Sequence, residues 1–420
     1  MYRTHYVSEA KKLVGKKTKI AGWVHDFRDL GKMKFVLLRD RTGIIQVLLK
    51  KGVVSDELLK AVSVNREDVV CFEGEAKESK MAPDGVEFIP SSFELLNEVD
   101  GKLPVDPTGV VPSELDTRLD YRYIDLRNPK ILQIFKTKSL LVGAFREKLL
   151  ELDFTEIHTP SITGAATEGG ADVFTVQYFE NKAYLVQSPQ LYKQLAVIGG
   201  LDKVLMVTPV FRAEKHNTTT HLNEVVQMDI EIGFADHLYA MDILELVVLH
   251  MLDKADVLDK TKPNSIRRHT YSDLVDKLNK HGFKMEWGED FSKEAEHKLG
   301  EILGEELYFI YDWPTKVRAF YSMPDEKNDE ICHAFDLIYR GLEIASGAQR
   351  IHKPELLEKQ LKKRGIDPHN FGFYTNAFKF GAPPHAGWSI GLERITMKAC
   401  NLNNIREAVL FPRDRTRLHP

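Results

Sequence analysis

The chain has 420 residues, with 58 Lys and Arg against 62 Asp and Glu, and a formal net charge of −4. That length predicts two or three domains at roughly 150 residues each, and the charge balance excludes a globally basic surface. Hydrophobic residues make up 43% of the chain, yet no apolar run approaches the roughly 20 residues that span a bilayer, which predicts a soluble protein with no membrane association.

The first segment, MYRTHYVSEAKK, lacks an apolar signal core and predicts a cytoplasmic protein. Cys71, Cys332 and Cys400 are scattered, form neither a disulfide framework nor a spaced metal site, and fit a reducing compartment. Three strand-like runs follow, Lys17 to Phe27, Lys34 to Arg39 and Ile44 to Lys50, with a turn over Asp40 to Gly43. SDELLKAVSV then carries a serine N-cap signal and helical spacing, before strands resume over Asp68 to Lys77 and Val86 to Asn97. This β-β-β-α-β-β order is that of an oligonucleotide-binding barrel over residues 1–101, whose exposed face holds single-stranded nucleic acid. Gly22, Trp23, His25, Phe27, Arg28, Phe35 and Gln46 fall on or near that face, although Trp23 and Phe35 fit a barrel core equally well.

Residues 102–128 change character: GKLPVDPTGVVPSELD is rich in Pro and Gly, and TRLDYRYIDLRNP alternates charge, which reads as a hinge. Asn128 and Pro129 then make a helix start, and apolar spacing continues the helix to about Leu152. Beyond Phe154 strands predominate, with amphipathic helices at Met241 to Leu252, at Glu355 to Arg364 and from Gly391. Antiparallel strands with helices outside them give an α+β domain over 129–420.

Four segments put polar residues where the pattern predicts an inner surface. TEGGADVFTVQYF holds Glu168 before two glycines, and YLVQSPQLYKQ holds Gln187, Ser188, Gln190 and Lys193. Each alone is weak, since Lys193 taken singly reads as a surface lysine. FRAEKHNTTTHLNE, between strand-like VLMVTPVF and VVQMDIEIGF, predicts a hairpin presenting Arg212, Glu214, His221 and Glu224, a set suited to a phosphate-bearing ligand. Last come Glu343, Ser346 and Arg350 after LIYRGLEI, and Gly391, Glu393 and Arg394 at a helix start that favours anions but also fits an ordinary capped helix. The conjunction of arginines at 212, 350 and 394 with acids at 168, 214 and 343 predicts that they converge.

FTEIHTPSIT, FRAEKHNTTTHLNE and GLER resemble motifs one, two and three of the class II aminoacyl-tRNA synthetases, in chain order. With the barrel in front, essentially the whole chain resembles the subclass of aspartyl, asparaginyl and lysyl enzymes. SPQLYKQ, HNTT, HLNE, PPHAGW and LFPRDRTRLHP are similar to the archaeal and eukaryotic aspartyl enzymes; an asparaginyl enzyme typically has leucine where Lys193 stands. The short segment between motif two and Glu343 departs from the bacterial type. An asparaginyl enzyme, a non-catalytic RNA-binding paralogue and an amide-forming metabolic enzyme remain as rivals.

The resemblance implies an antiparallel sheet cradling ATP, with catalytic roles for Arg212, Glu343 and Arg394. Arg212 would hold the α-phosphate, and Glu343 and Ser346 would hold Mg²⁺ with Asp336 nearby. Ala213, Glu214, Thr220, His221, Leu222, Gly391, Leu392 and Glu393 would surround the nucleotide, and Arg394 would lie against adenine or the γ-phosphate. Glu168, Gln190 and Asp229 would take the ammonium of L-aspartate, with Leu191, Tyr192 and Ser346 nearby. Lys193 and Arg350 would clamp its side-chain carboxylate. Glu224 would lie near the tRNA end or adenine. Two positions depart from the family: Thr220 stands where many relatives have a second arginine, and Val225 where many have an adenine-stacking phenylalanine.

In the barrel, Phe35 would stack on an anticodon base while Arg28 and Gln46 bond edges or backbone. His25 and Pro83 replace a tryptophan and a lysine found in archaeal relatives restricted to tRNA(Asp). This implies an enzyme that charges both tRNA(Asp) and tRNA(Asn), with a tRNA-dependent amidotransferase acting on the second product. The motif-one region implies a homodimer.

Overall fold

The computed structural model describes residues 1–82, 84–164, 173–215, 218–258 and 265–420. The chain folds as two compact units, Met1–Gln133 and Ile134–Pro420. In the first, helix α1 (Val7–Lys12) precedes strands β1 (Lys17–Asp29), β2 (Met33–Asp40) and β3 (Gly43–Lys50). Helix α2 (Asp56–Ala61) separates these from β4 (Val69–Glu78) and β5 (Val86–Asn97). Its start is fixed as the sequence predicts: the Ser55 side chain accepts from the Leu58 amide.

The strands close into a barrel in the order β1-β2-β3-β5-β4, with β3 and β5 the parallel pair, confirming the oligonucleotide-binding barrel. Strand alternation decides what each side chain faces. Ile20, Val24, Val36, Leu38, Ile45 and Val47 fill the interior. Trp23, Phe35 and Gln46 fall on the other phase of their strands and stay half-exposed, which resolves Trp23 and Phe35 in favour of the outer face.

Residues 102–128, read from composition as a hinge, hold helices α3 (Leu115–Asp120) and α4 (Arg122–Asp125). The alternating charges there are paired: Arg118 and Arg122 both reach Asp125, at 3.0 and 2.6 Å, and Arg122 is fully buried. The alternating charges that read as part of a hinge are here paired with one another.

Helix α5 (Pro129–Glu151) begins where Asn128 Oδ1 accepts from the Lys130 amide at 2.9 Å. Short strands β6 (Thr155–Glu156), β7 (Ile162–Thr163), β8 (Thr175–Tyr178) and β9 (Asn181–Leu185) lead to helix α6 (Gln190–Ala196). The predicted hairpin follows as β10 (Lys203–Phe211) and β11 (Glu224–Gly233), paired throughout from Lys203 opposite Ile232 to Phe211 opposite Glu224. Next come α7 (His237–Lys254), β12 (Arg267–Thr270), α8 (Tyr271–Lys280) and α9 (Lys293–Leu303). The chain ends with β13 (Leu307–Pro314), β14 (Ile331–Tyr339), β15 (Leu342–Arg350), α10 (Pro354–Lys363), α11 (Gly372–Phe378), β16 (His385–Gly391) and α12 (Leu392–Ala399).

These strands make an eight-stranded sheet in the order β12-β13-β14-β15-β16-β11-β10-β6, antiparallel except at its two edges. One face is apolar: Met228, Ile230 and Trp388 pack with Leu244, Val247 and Met251 of α7 and with Phe145 of α5. Alternation then turns Asp229 and Glu231 of β11 to the opposite face.

Gly347 lets β15, β14 and β16 pack closely. A Cβ there would lie 2.7 Å from the Gly387 carbonyl oxygen and collide with the Phe335 ring. Gly347→Ala is therefore expected to destabilise the second unit by about 1–3 kcal/mol in urea denaturation, the scale of core overpacking; an unchanged midpoint would refute the close packing.

Helix α9 buries Ala295 and Leu299 in a second core with Tyr308 and Trp313. Its Glu296, beside them, is pushed from 4.5 up to about 7 by burial and then by the negative charge of Glu343. The folded state thus holds this proton more tightly than the unfolded chain does. Its contribution is fully present below pH 4.5 and is lost as pH rises towards 7. Glu296→Gln, which mimics the protonated group, should flatten the decline in stability between those pH values when denaturation is followed without divalent cations. An unchanged decline would rule Glu296 out as its source.

Candidate functional site

The hairpin tip is held by its own polar groups. Asn223 donates from Nδ2 to the carbonyls of Arg212 and Glu214 at 2.7 and 3.2 Å, while its own carbonyl accepts from the Arg212 amide at 2.9 Å. This pinning presents Arg212, Glu214, Thr220, His221 and Leu222 along one wall of an open cleft. Glu343 and Ser346 of β15 form its floor, with Gly391, Glu393 and Arg394 at the start of α12. Most of the residues predicted to surround a nucleotide therefore converge, though they come from three separate stretches of sequence.

Arg394 is poised by three contacts: its Nη1 lies 3.1 Å from the Glu343 carbonyl and 3.5 Å from Glu343 Oε1, and its Nη2 donates to His221 Nε2 at 3.3 Å. A guanidinium can only donate, so His221 carries its proton on Nδ1, which faces Thr218 Oγ1 at 2.8 Å and Thr220 Oγ1 at 3.2 Å. Burial and the neighbouring Arg394 lower the proton affinity of His221, keeping the ring neutral. Thr220, where the resemblance led one to look for a second arginine, serves here to orient the ring. Val225 also lines the cleft and packs with Leu222, Met397 and Ile405.

Oxygen donors gather at the floor. Asp336 faces Ser346 across β14 and β15, and burial, together with the charge of Glu343, pushes its carboxyl up to about 6 against the opposing pull of Arg318. Arg318 grips Asp336 with both terminal nitrogens and stacks on Trp313 at 3.7 Å. Glu343, Ser346 and Asp336 form an oxygen-only set, the donor chemistry of a hard divalent cation, with Arg318 and Arg394 already beside the two carboxylates. Among the described residues His237, Asp312 and His333 also lie close together, at the start of α7. Their imidazoles stack in parallel at 4.4 Å, so one ion cannot lie in both ring planes, and the stack reads as ring packing.

Beyond the cleft lies a buried cluster of charges. Lys193 Nζ is 2.8 Å from Asp229 Oδ1 and 3.5 Å from Glu231 Oε2, and donates to the Trp388 carbonyl at 3.2 Å. Arg350 Nε is 2.9 Å from Glu231 Oε1, and Gln190 Nε2 is 3.4 Å from Glu231 Oε2. Lys193 and Glu231 are fully buried, Asp229 and Arg350 nearly so. Burial pushes the Asp229 carboxyl up; Glu231, equally buried, is held below the ordinary carboxylate range by Arg350 and Lys193. Ser389 Oγ lies 3.3 Å from Asp229 Oδ2, and Gln194 links His385 to Tyr374 at 2.8 and 3.0 Å.

Sequence reasoning missed Glu231, Ser389, Gln194 and Arg318. For Glu231 a signal existed: Asp229 and Glu231 alternate in otherwise apolar QMDIEIG, which puts both on one face. Other predicted residues lie elsewhere. Leu191 and Leu392 are packed in apolar clusters, and Tyr192 stacks near Phe373. Glu393 does border the cleft but is itself buried, with Oε1 accepting from Lys138 at 2.8 Å and Oε2 from the Val226 amide at 2.9 Å. Ala213 and Glu224 line a neighbouring groove with Phe174, Phe211, Arg413 and Arg415. Glu168 and Pro83 lie outside the described residues.

In the barrel, Arg28 is exposed opposite Phe35 of β2, and Gln46 pairs with Leu37. His25 is the extra residue of a β-bulge between Val24 and Asp26 and lines a cleft against residues 101–108.

Comparison with known proteins agrees with this geometry. The family described as tRNA synthetases class II (D, K and N) matches residues 114–415, and the OB-fold nucleic acid binding domain matches residues 18–96. The chain is 47% identical to the aspartate–tRNA(Asp/Asn) ligase of Methanocaldococcus jannaschii, covering 100% of this chain and 98% of that protein. It is 48% identical to the aspartate–tRNA(Asp) ligase of Pyrococcus furiosus, over 100% of both. The crystal structure of asparaginyl-tRNA synthetase from Pyrococcus horikoshii complexed with asparaginyl-adenylate superposes with a TM-score of 0.93 at 33% identity, over 100% of both chains. The chain belongs to the class II tRNA synthetases of the aspartate, lysine and asparagine group, and within it to the aspartate–tRNA ligases.

Proposed function

We propose that the chain activates L-aspartate with ATP and transfers it to tRNA(Asp) and tRNA(Asn). The observation that carries the choice of amino acid is the buried pocket in which Lys193 and Arg350 face Asp229 and Glu231. Without substrate the four charges neutralise one another. An entering aspartate brings both signs: its ammonium replaces Lys193 as the partner of Asp229, helped by Gln190 and Glu168, and its side-chain carboxylate takes Lys193 and Arg350. Asparagine offers the same ammonium but a neutral amide, so Lys193 would lose a counter-charge in a buried site and gain none. This favours aspartate over the asparaginyl alternative, despite the structural likeness to an asparaginyl enzyme.

The α-carboxylate of aspartate is ionised at neutral pH and needs no base. One of its oxygens attacks the α-phosphorus of ATP, the bond to pyrophosphate breaks, and aspartyl adenylate forms. Arg212 offsets the charge gathering on the nonbridging oxygens, and Arg394, steadied by Glu343 and His221, holds the nucleotide. Glu343 and Ser346, with Asp336, would hold Mg²⁺, which when bound neutralises phosphate charge. In the second step the terminal ribose hydroxyl of tRNA attacks the adenylate carbonyl and AMP leaves. The barrel reads the anticodon through Phe35, Arg28, Gln46 and His25. We place the enzyme in the cytoplasm as a homodimer, where a tRNA-dependent amidotransferase would convert aspartyl-tRNA(Asn).

Two measurements test this. Glu231→Gln weakens the partner of Arg350 and is expected to raise KM for aspartate in pyrophosphate exchange by about tenfold or more, with KM for ATP little changed; an equal rise for both substrates would remove Glu231 from the aspartate pocket. In charging assays, tRNA(Asp) and tRNA(Asn) should react with kcat/KM values within about a hundredfold. A deficit on tRNA(Asn) beyond roughly ten-thousandfold, the scale at which a site rejects a wrong substrate, overturns the two-tRNA reading.

A further inference from the structure

A chain of hydrogen bonds runs beside the buried charges, from a carboxylate to a backbone carbonyl. Gln190 Nε2 donates to Glu231 Oε2 at 3.4 Å and to Gln194 Oε1 at 3.1 Å. One helical turn further along α6, Gln194 Nε2 meets His385 Nε2 at 2.8 Å, and His385 Nδ1 meets the Pro383 carbonyl at 2.8 Å. Tyr374 of α11 donates its hydroxyl to Gln194 Oε1 at 3.0 Å. Gln194, Tyr374 and His385 are fully buried and Gln190 is 5% exposed, so a broken link leaves a polar group uncompensated. His385 stands opposite Arg350 in the pairing of β15 with β16, so the same strand pair that brings Arg350 to Glu231 brings the ring to Gln194.

Both ends of this chain can only accept, and that fixes every direction between them. The Pro383 carbonyl requires a proton on His385 Nδ1. Burial lowers the proton affinity of the ring and keeps it singly protonated, so Nε2 is an acceptor and receives the amide nitrogen of Gln194. Gln194 is thereby turned with its oxygen towards Gln190 and Tyr374. That oxygen and the Glu231 carboxylate both demand the amide nitrogen of Gln190, which spends one hydrogen on each. Turning the Gln190 amide over would set its oxygen against two other oxygens. Turning Gln194 over would set two N–H groups face to face and an oxygen against the lone pair of His385. Among the described residues nothing donates to Gln190 Oε1, so one acceptor of this amide is left over.

We propose that Gln194 and His385 are positioning residues that keep the oxygen of the Gln190 amide, and not its nitrogen, towards the ammonium of the amino-acid substrate. The proposal rests on the reading of the buried charges as the aspartate pocket. An amide free to rotate presents a donor as readily as an acceptor, and an N–H set against an ammonium repels it. Here the choice is made by a ring and a carbonyl on the far side of α6, before any substrate arrives. Donation by both amide hydrogens also polarises the oxygen and strengthens it as an acceptor.

The test compares aspartate with succinate, which carries both carboxylates of aspartate and no ammonium. In pyrophosphate exchange, Gln194→Met is expected to raise KM for aspartate about tenfold, the scale of one hydrogen bond to a charged group, with kcat and KM for ATP within about twofold. The inhibition constant of succinate, competing with aspartate, should also stay within about twofold, because succinate offers Gln190 nothing to hold. Circular dichroism reports whether the variant folds. If it does not, His385→Gln supplies the same arm: it can donate to Gln194 as well as accept from it, so it removes the direction without stranding the amide, and the same selective rise is expected. Equal weakening of aspartate and succinate makes the chain mere packing and overturns the proposal, as does an unchanged KM for aspartate in a folded variant. Failure of the pocket reading looks different: succinate does not compete in the native enzyme, and asparagine, not aspartate, drives exchange. The selective effect then moves to asparagine against succinamate, its counterpart without the ammonium, which keeps the positioning role and overturns the choice of aspartate.

Discussion

Mutual neutralisation of four charges in one buried cluster is the constraint around which the second unit is arranged. Lys193 comes from α6, Asp229 and Glu231 from β11, and Arg350 from β15, which is separated from β11 by β16. Arg350 must therefore reach Glu231 across an intervening strand. It can do so because Gly387 sits between them: a Cβ there would collide with Glu231 Oε2. Removing Lys193 or Glu231 leaves Asp229 or Arg350, respectively, buried without its ion-pair partner, a loss of several kcal/mol and more than most single contacts provide. The cluster proposed to receive aspartate is thus also a tie across the sheet.

The nucleotide cleft and the pocket divide the chemistry between them. The cleft is open and presents side chains able to donate to an anion; the charged cluster is buried and presents fixed pairs. His221 shows how local exchange of residues preserves a role. With threonine at 220, two hydroxyls steer the imidazole proton to Nδ1 and leave Nε2 to receive Arg394. The arginine is held from one side by a ring and from the other by a backbone carbonyl and carboxylate, so protein contacts alone direct it.

Much of this was legible in the sequence because it rested on periodicity and motif order. The β10–β11 hairpin, the barrel order and the Asn128–Pro129 helix start all follow from alternation and capping rules that act over a few residues. What escaped was long-range pairing. Arg118, Arg122 and Asp125 were read only as part of a hinge because the pairing that buries them is set by helix geometry. Glu231 was hidden among apolar neighbours, and its importance depends on a lysine 38 positions earlier and an arginine 119 positions later meeting it in space. Overall similarity has its own limit here: curated relatives at 47% and 48% identity carry names that differ in tRNA range.

Glu393 leads to a different kind of consequence. One of its oxygens receives the amide of Val226 in the hairpin and the other receives Lys138 of α5, which also donates to the Ala408 carbonyl at 3.0 Å. A single carboxylate therefore works as a mechanical rivet through three layers: the long helix, the strand that bears the nucleotide-facing residues, and the final helix. The long helix contributes none of the residues lining the cleft, yet a shift along its axis would reach the hairpin in two hydrogen bonds. Whatever binds or braces the outer side of that helix holds a lever on the adenylation cleft.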